Sequence, residues 1–164
     1  MRDRIRFLSG VLLASVVAGL PVTAQETSQS SAGTLTATTI ADGLEHPWAL
    51  SVLPDGRFLV TERPGRLRVI ADGLVGDPIA DVPEVVVRGQ GGLLDLVVAP
   101  DFATSGRIYL TFSEPGPGGA GTAAATARLL REGDTARLVD VTVIARMEKK
   151  TAGGRHFGSR VVPA

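Results

Sequence analysis

The chain has 164 residues, with 17 Lys and Arg against 17 Asp and Glu, and it contains no cysteine. The missing cysteine excludes a disulfide scaffold, thiolate metal sites and a thiol nucleophile. The balanced charge gives no electrostatic case for nucleic acid or an anionic membrane as partner.

Met1–Arg6 carries three arginines and one aspartate, and Phe7–Leu20 is an uncharged apolar run of fourteen residues. Pro21 ends the run, and Val22-Thr23-Ala24 places small residues where a signal peptidase cuts. The pattern predicts a secretory signal over residues 1–24, since a membrane anchor needs about 20 apolar residues. The expected location is therefore the periplasm or the cell exterior. Residues 25–33 are polar and Ser-rich and read as a flexible leader, followed by one domain over residues 34–164. Without the signal the chain is acidic by two charges.

Strand signals dominate that domain. Leu35–Ile40, Trp48–Leu53, Phe58–Thr61, Leu67–Ile70, Leu93–Ala99, Ile108–Phe112, Ala123–Leu130 and Val139–Ile144 are short runs rich in Val, Ile, Leu and Thr, bounded by Gly, Pro or Asp. Ala120–Leu130 has helical propensity, but its Gly-Pro-Gly-Gly approach and its flanking strands favour a strand. Phe58–Thr61 and Ile108–Thr111 are continuous apolar stretches, as in strands buried on both faces.

An internal repeat organises these runs. Gly43…Trp48-Ala49-Leu50-Ser51-Val52-Leu53-Pro54-Asp55 returns 46 residues later as Gly89…Leu94-Asp95-Leu96-Val97-Val98-Ala99-Pro100-Asp101. Arg57-Phe58-Leu59-Val60-Thr61 is then answered by Arg107-Ile108-Tyr109-Leu110-Thr111, with four extra residues in the second copy. Strand, Pro-Asp turn and strand at a period of about 40–50 residues is the signature of propeller blades. A third unit is expected to begin at Gly158, so the chain holds two to three blades, and a ring needs at least about four.

Residues able to carry chemistry are few. His46, beside Pro47 and Trp48 at a strand entry, reads as a packing or hydrogen-bonding residue. His156 lies in the glycine-bracketed Gly153-Gly154-Arg155-His156-Phe157-Gly158, and an imidazole there could accept a proton from a hydroxyl; on spacing alone a plain loop histidine fits as well. Arg88-Gly89-Gln90-Gly91-Gly92 could bring its backbone and the Gln90 amide close to a ligand, or its glycines could serve turns alone. It lacks the Lys-Ser/Thr of a phosphate loop. The aspartates sit mostly in turns, no oxygen-rich calcium loop appears, and Lys149-Lys150 reads as a solvated loop.

Together, Gly43–Leu50, Leu53–Leu67, Gly89–Asp95, Pro100–Phe102 and His156–Arg160 resemble the soluble pyrroloquinoline-quinone (PQQ) sugar dehydrogenases. Within the glucose/sorbosone dehydrogenase family they are most similar to the aldose sugar dehydrogenase branch, and the resemblance spans Leu35 to Val162. It implies an all-β, six-bladed propeller of which this chain is the N-terminal part, with PQQ at the mouth of the ring and calcium beside it. It also implies oxidation of the C1 hydroxyl of an aldose, with hydride passing to the quinone. His156 falls on the family's general base and Gln90 on its glutamine at the cofactor and sugar pocket. The family's metal ligands and its other quinone contacts lie beyond the histidine, so the resemblance assigns no calcium ligand here. It also leads us to expect that the chain alone is inactive. A non-catalytic partial propeller that binds or assembles, through self-association of exposed edge strands, and a degenerate product are the alternatives.

Overall fold

The computed structural model describes residues 25–133 and 135–163, so the predicted signal over residues 1–24 lies outside the described residues. The described residues fall into two compact units, divided between Thr38 and Thr39. No helix among the described residues is long and apolar enough to cross a membrane.

In the first unit, β1 (Gln25–Ser30) pairs antiparallel with β2 (Gly33–Thr38) around a tight turn. Where the composition predicts a flexible leader over residues 25–33, the structure therefore has a strand and its turn. Local bonds account for the difference: the Ser30 hydroxyl donates to the Gly33 carbonyl at 2.8 Å, and the Gln29 amide donates to the Thr34 hydroxyl at 3.0 Å. Both strands are exposed throughout, so no hydrophobic burial supports the hairpin.

The second unit is two four-stranded antiparallel meanders. One contains β3 (Pro47–Val52), β4 (Phe58–Glu62), β5 (Arg66–Ala71) and β6 (Leu74–Val75); the other contains β7 (Leu93–Val98), β8 (Arg107–Gly116), β9 (Gly119–Glu132) and β10 (Thr135–Arg146). These are blades of a partial β-propeller, and each begins at one copy of the 46-residue repeat. The Ala-rich stretch is strand β9, its alternate alanines Ala123, Ala125 and Ala127 buried. The four extra residues of the second copy form the single helical turn α1 (Phe102–Ser105). Gly56 and Gly106 close the two turns with φ +85 and +65, in the left-handed region that glycine tolerates. The start of a third blade expected at Gly158 is not a strand; residues 158–163 are irregular.

The threonine that ends each repeat has a structural job. Both first strands carry a bulge where they meet the second strand, at Pro47/Ala49 and at Leu93/Leu96. The Thr61 hydroxyl accepts the Ala49 N–H at 3.0 Å and the Thr111 hydroxyl accepts the Asp95 N–H at 2.9 Å. Each side chain thus takes a backbone donor that the irregular ladder leaves free. Thr61 also donates to the Leu94 carbonyl at 2.7 Å, and Ser51 to the Leu96 carbonyl at 3.0 Å, which ties the first blade to the second. One apolar core fills the space between them, with Leu53, Leu59 and Leu67 against Leu93, Leu96, Leu110 and Phe112.

At the end of β4 Glu62 is 1% exposed and ion-paired with Arg66 at 2.6 Å. Burial pushes its carboxyl up, but the Arg66 and Glu45 N–H groups that bond to it, with the charges of Arg66 and Arg68, hold it below the usual carboxylate range.

Candidate functional site

Two loops carry the residues singled out by sequence. Arg88–Gly92 leads from the connection between the blades into β7, and residues 152–163 follow β10. The Gln90 N–H donates to the Gly154 carbonyl at 2.8 Å, and the Gln90 Oε1 accepts the His156 N–H at 2.9 Å. The structure thus brings Gln90 and His156 together, across 66 positions of sequence.

That approach explains two of the glycines. A Cβ at Gly89 would stand 2.2 Å from the Gly154 carbonyl oxygen, and one at Gly92 would stand 2.0 Å from the Arg63 carbonyl oxygen. Both distances are far inside van der Waals contact, so close backbone packing, as well as the turn, requires glycine there.

The loop bearing His156 is fixed on both sides of the imidazole. Phe157 is buried against Leu94, Ala120 and Val86, and its carbonyl accepts the Thr122 hydroxyl. Further on, the Val161 N–H donates to Asp95 Oδ2 at 2.8 Å, and Arg160 lies 3.7 Å from Asp95 Oδ1. Before it, Lys150 pairs with Glu114 at 2.5 Å and is only 7% exposed, which corrects its reading as part of a solvated loop. Lys150 holds the Glu114 carboxyl below its usual range, against the effect of burial. His156 itself has φ +62 and Ser159 φ +127, conformations that cost a side-chain-bearing residue about 1–3 kcal/mol. Neighbouring contacts hold them there, and His156 stays exposed.

His46 is not brought into this group. It is exposed rather than packed, with φ +49, and only its carbonyl is used, accepting the Arg63 N–H at 3.0 Å. Asp95 was legible as one aspartate among many; its strand position, 4% exposed and aligned with Ala49 of the first copy, marks it as special. Arg63 and Thr122 act on main-chain carbonyls, a role with no sequence signature. A cavity of about 450 Å³ between the outer strands, lined by Val69, Leu74, Pro78 and Ile79, contains neither Gln90 nor His156.

The site therefore offers an exposed imidazole on a pinned backbone, beside an amide whose NH₂ group has no protein partner among the described residues. The Ser159 Oγ is buried and also unpartnered. These are groups suited to a polar, hydrogen-bond-accepting ligand. Among the described residues no three His, Cys, Asp or Glu side chains cluster to hold a metal ion, so none of them is assigned to calcium.

The profile of the glucose/sorbosone dehydrogenase family matches residues 44–164. The chain belongs to this family. Among its glucose/sorbosone dehydrogenase relatives, the aldose sugar dehydrogenase of Escherichia coli K12 is 46% identical over 126 residues, covering 75% of this chain and 33% of the relative. A crystal structure of a glucose dehydrogenase superposes with TM-score 0.69 at 47% identity, covering 85% of this chain and 37% of the other. The PQQ-bound aldose sugar dehydrogenase of Streptomyces coelicolor shares the fold, with TM-score 0.56 at 23% identity. The chain spans about a third of the length of these relatives.

Proposed function

We propose that this chain contributes the general base and one substrate- or cofactor-contacting amide to a PQQ-dependent aldose dehydrogenase exported from the cytoplasm. The observation that carries this reading is the His156 to Gln90 hydrogen bond, which joins two separate loops and leaves the imidazole exposed. PQQ, when bound, would supply the hydride acceptor. Gln90, through the unpartnered NH₂ of its amide, and Ser159, through its unpartnered hydroxyl, are the residues here that would hold it.

The chain's own part is proton and position management. An imidazole nitrogen of His156 takes the proton of the sugar's C1 hydroxyl, and the developing alkoxide character makes the C1 hydrogen a better hydride donor. The anchors at Gln90, Thr122 and Asp95 hold the loop's backbone, so the residue that carries the base is pre-positioned rather than recruited. Calcium beside the cofactor and a periplasmic or extracellular location belong to the same proposal.

The test is a chimera in which residues 44–164 replace the matching third of the Escherichia coli enzyme. With PQQ and calcium it is expected to oxidise aldoses with dye reduction, and His156→Ala should cost about 100-fold or more in turnover at unchanged thermal stability. Near-normal turnover of His156→Ala would remove the residue from the base role. Residues 25–164 alone are expected to give no dye reduction.

A second reading, assembly through an open blade face, is favoured by β3. Trp48, Leu50 and Val52 are 49%, 56% and 59% exposed, while Leu94 and Leu96, the repeat counterparts of the first two, are buried and Val98, that of the third, is partly buried.

A further inference from the structure

We propose that Arg63 is a positioning residue for the Gln90–His156 pair, acting through the main chain on either side of Gln90; the inference rests on the reading of that pair as the site. Arg63 belongs to the first blade, in the turn between β4 and β5, and sits in the sequence 27 residues before Gln90. Its Nη1 donates to the Gly89 carbonyl at 2.9 Å and to the Gly91 carbonyl at 3.2 Å. One nitrogen with two hydrogens therefore bridges the carbonyls immediately before and after Gln90. The Arg63 carbonyl in turn accepts the Leu93 N–H at 3.0 Å, so both ends of the residue grip the same short loop.

The charge is reserved for this purpose. Among the described residues no carboxylate lies in ion-pair range of Arg63, whereas neighbouring Arg66 and Arg68 both engage Glu62. A guanidinium that keeps its full charge makes stronger bonds to carbonyl oxygens than a neutral donor would. Gly91 N–H to the Arg88 carbonyl at 2.9 Å closes the turn that presents Gln90, and Arg63 holds that turn from outside. With the two carbonyls pinned, the Gln90 side chain leaves the loop in the direction that meets the His156 N–H.

Fixing Gln90 from the first blade has a consequence for the second. The His156 loop follows β10, and Gln90 touches it twice, at Gly154 and at His156. Arg63 thus couples the first blade's hairpin to the placement of the imidazole without touching it.

Hydrogen exchange read by mass spectrometry on the full chain tests this. In Arg63→Met, peptides covering residues 88–92 and 152–158 should exchange about tenfold faster, with no change in β4 or β8 and an unchanged melting temperature. Gln90→Leu supplies the rate of the 152–158 segment without the side-chain bond to His156, which Arg63→Met should reach or exceed. Unchanged exchange of residues 152–158 in Arg63→Met overturns the proposal. If Arg63→Met does not fold, Arg63→Lys decides. Its single ammonium on a shorter stem should give a rate between wild type and Gln90→Leu, and a wild-type rate overturns the proposal. The two readings fail separately: if Arg63→Met frees the segment while the chimera carrying Gln90→Leu oxidises sugar normally, the positioning role stands and the functional role of Gln90 falls.

Discussion

At the scale of single residues, this site is made by backbone as much as by side chains. His156 holds a left-handed conformation, Gly89 and Gly92 allow main chains to touch, and the bond that joins the two loops uses the His156 N–H rather than its ring. The imidazole is thereby left exposed while the backbone that carries it is held. The buried carboxylate Glu62 is a different kind of residue, engaged entirely in structure. Its folded-state pKa lies below the ordinary value, so the stability it confers is present above the unfolded-state pKa and is lost as pH falls through the folded one. Melting temperature should therefore drop on acidification below about pH 4. Glu62→Gln should lower it by roughly 5 °C or more at pH 7 and flatten that acid limb. A variant with the wild-type acid dependence would show that Glu62 is not the titrating group.

At the scale of elements, the two repeat threonines look alike in sequence and differ in load. Thr61 accepts one backbone N–H and donates across to the second blade, whereas Thr111 accepts the Asp95 N–H. Thr61→Val should cost about 1–3 kcal/mol in chemical denaturation, and more than Thr111→Val; equal costs would show that the bond to the Leu94 carbonyl contributes nothing. The strands and the repeat were legible because apolar runs, Pro-Asp turns and left-handed glycines are local signals. Even the insertion was visible as four extra residues, although its helical form was not, since one turn of helix has no periodicity to read. The candidate site was half legible. Gln90 and His156 stood out through their glycine brackets and the family motifs, but Arg63, Thr122 and the part-buried pair of Lys150 with Glu114 act through partners brought close only by tertiary packing. The leader likewise looked unstructured because nothing apolar marks it, and its hairpin rests on polar contacts alone.

At the scale of the second unit, two blades share one core and each has a face with no blade against it. The first blade shows the stripe of Trp48, Leu50 and Val52 on its open side, where the counterparts of the first two, Leu94 and Leu96, are buried in the second blade. Exposed apolar surface on an edge strand invites association. The chain is expected to sediment as a concentration-dependent mixture of sizes, and Leu50→Lys should shift it toward monomer. A monodisperse wild-type monomer would show that the stripe is harmless. The bonds of Gln90 to His156 and of Asp95 to Val161 each span 66 residues, and that has a temporal meaning. Closing so long a loop carries an entropic cost that local hairpins do not share. The blades can zip from neighbouring strands, whereas the bonds that hold the His156 loop bear a closure cost that neither blade's hairpins bear alone.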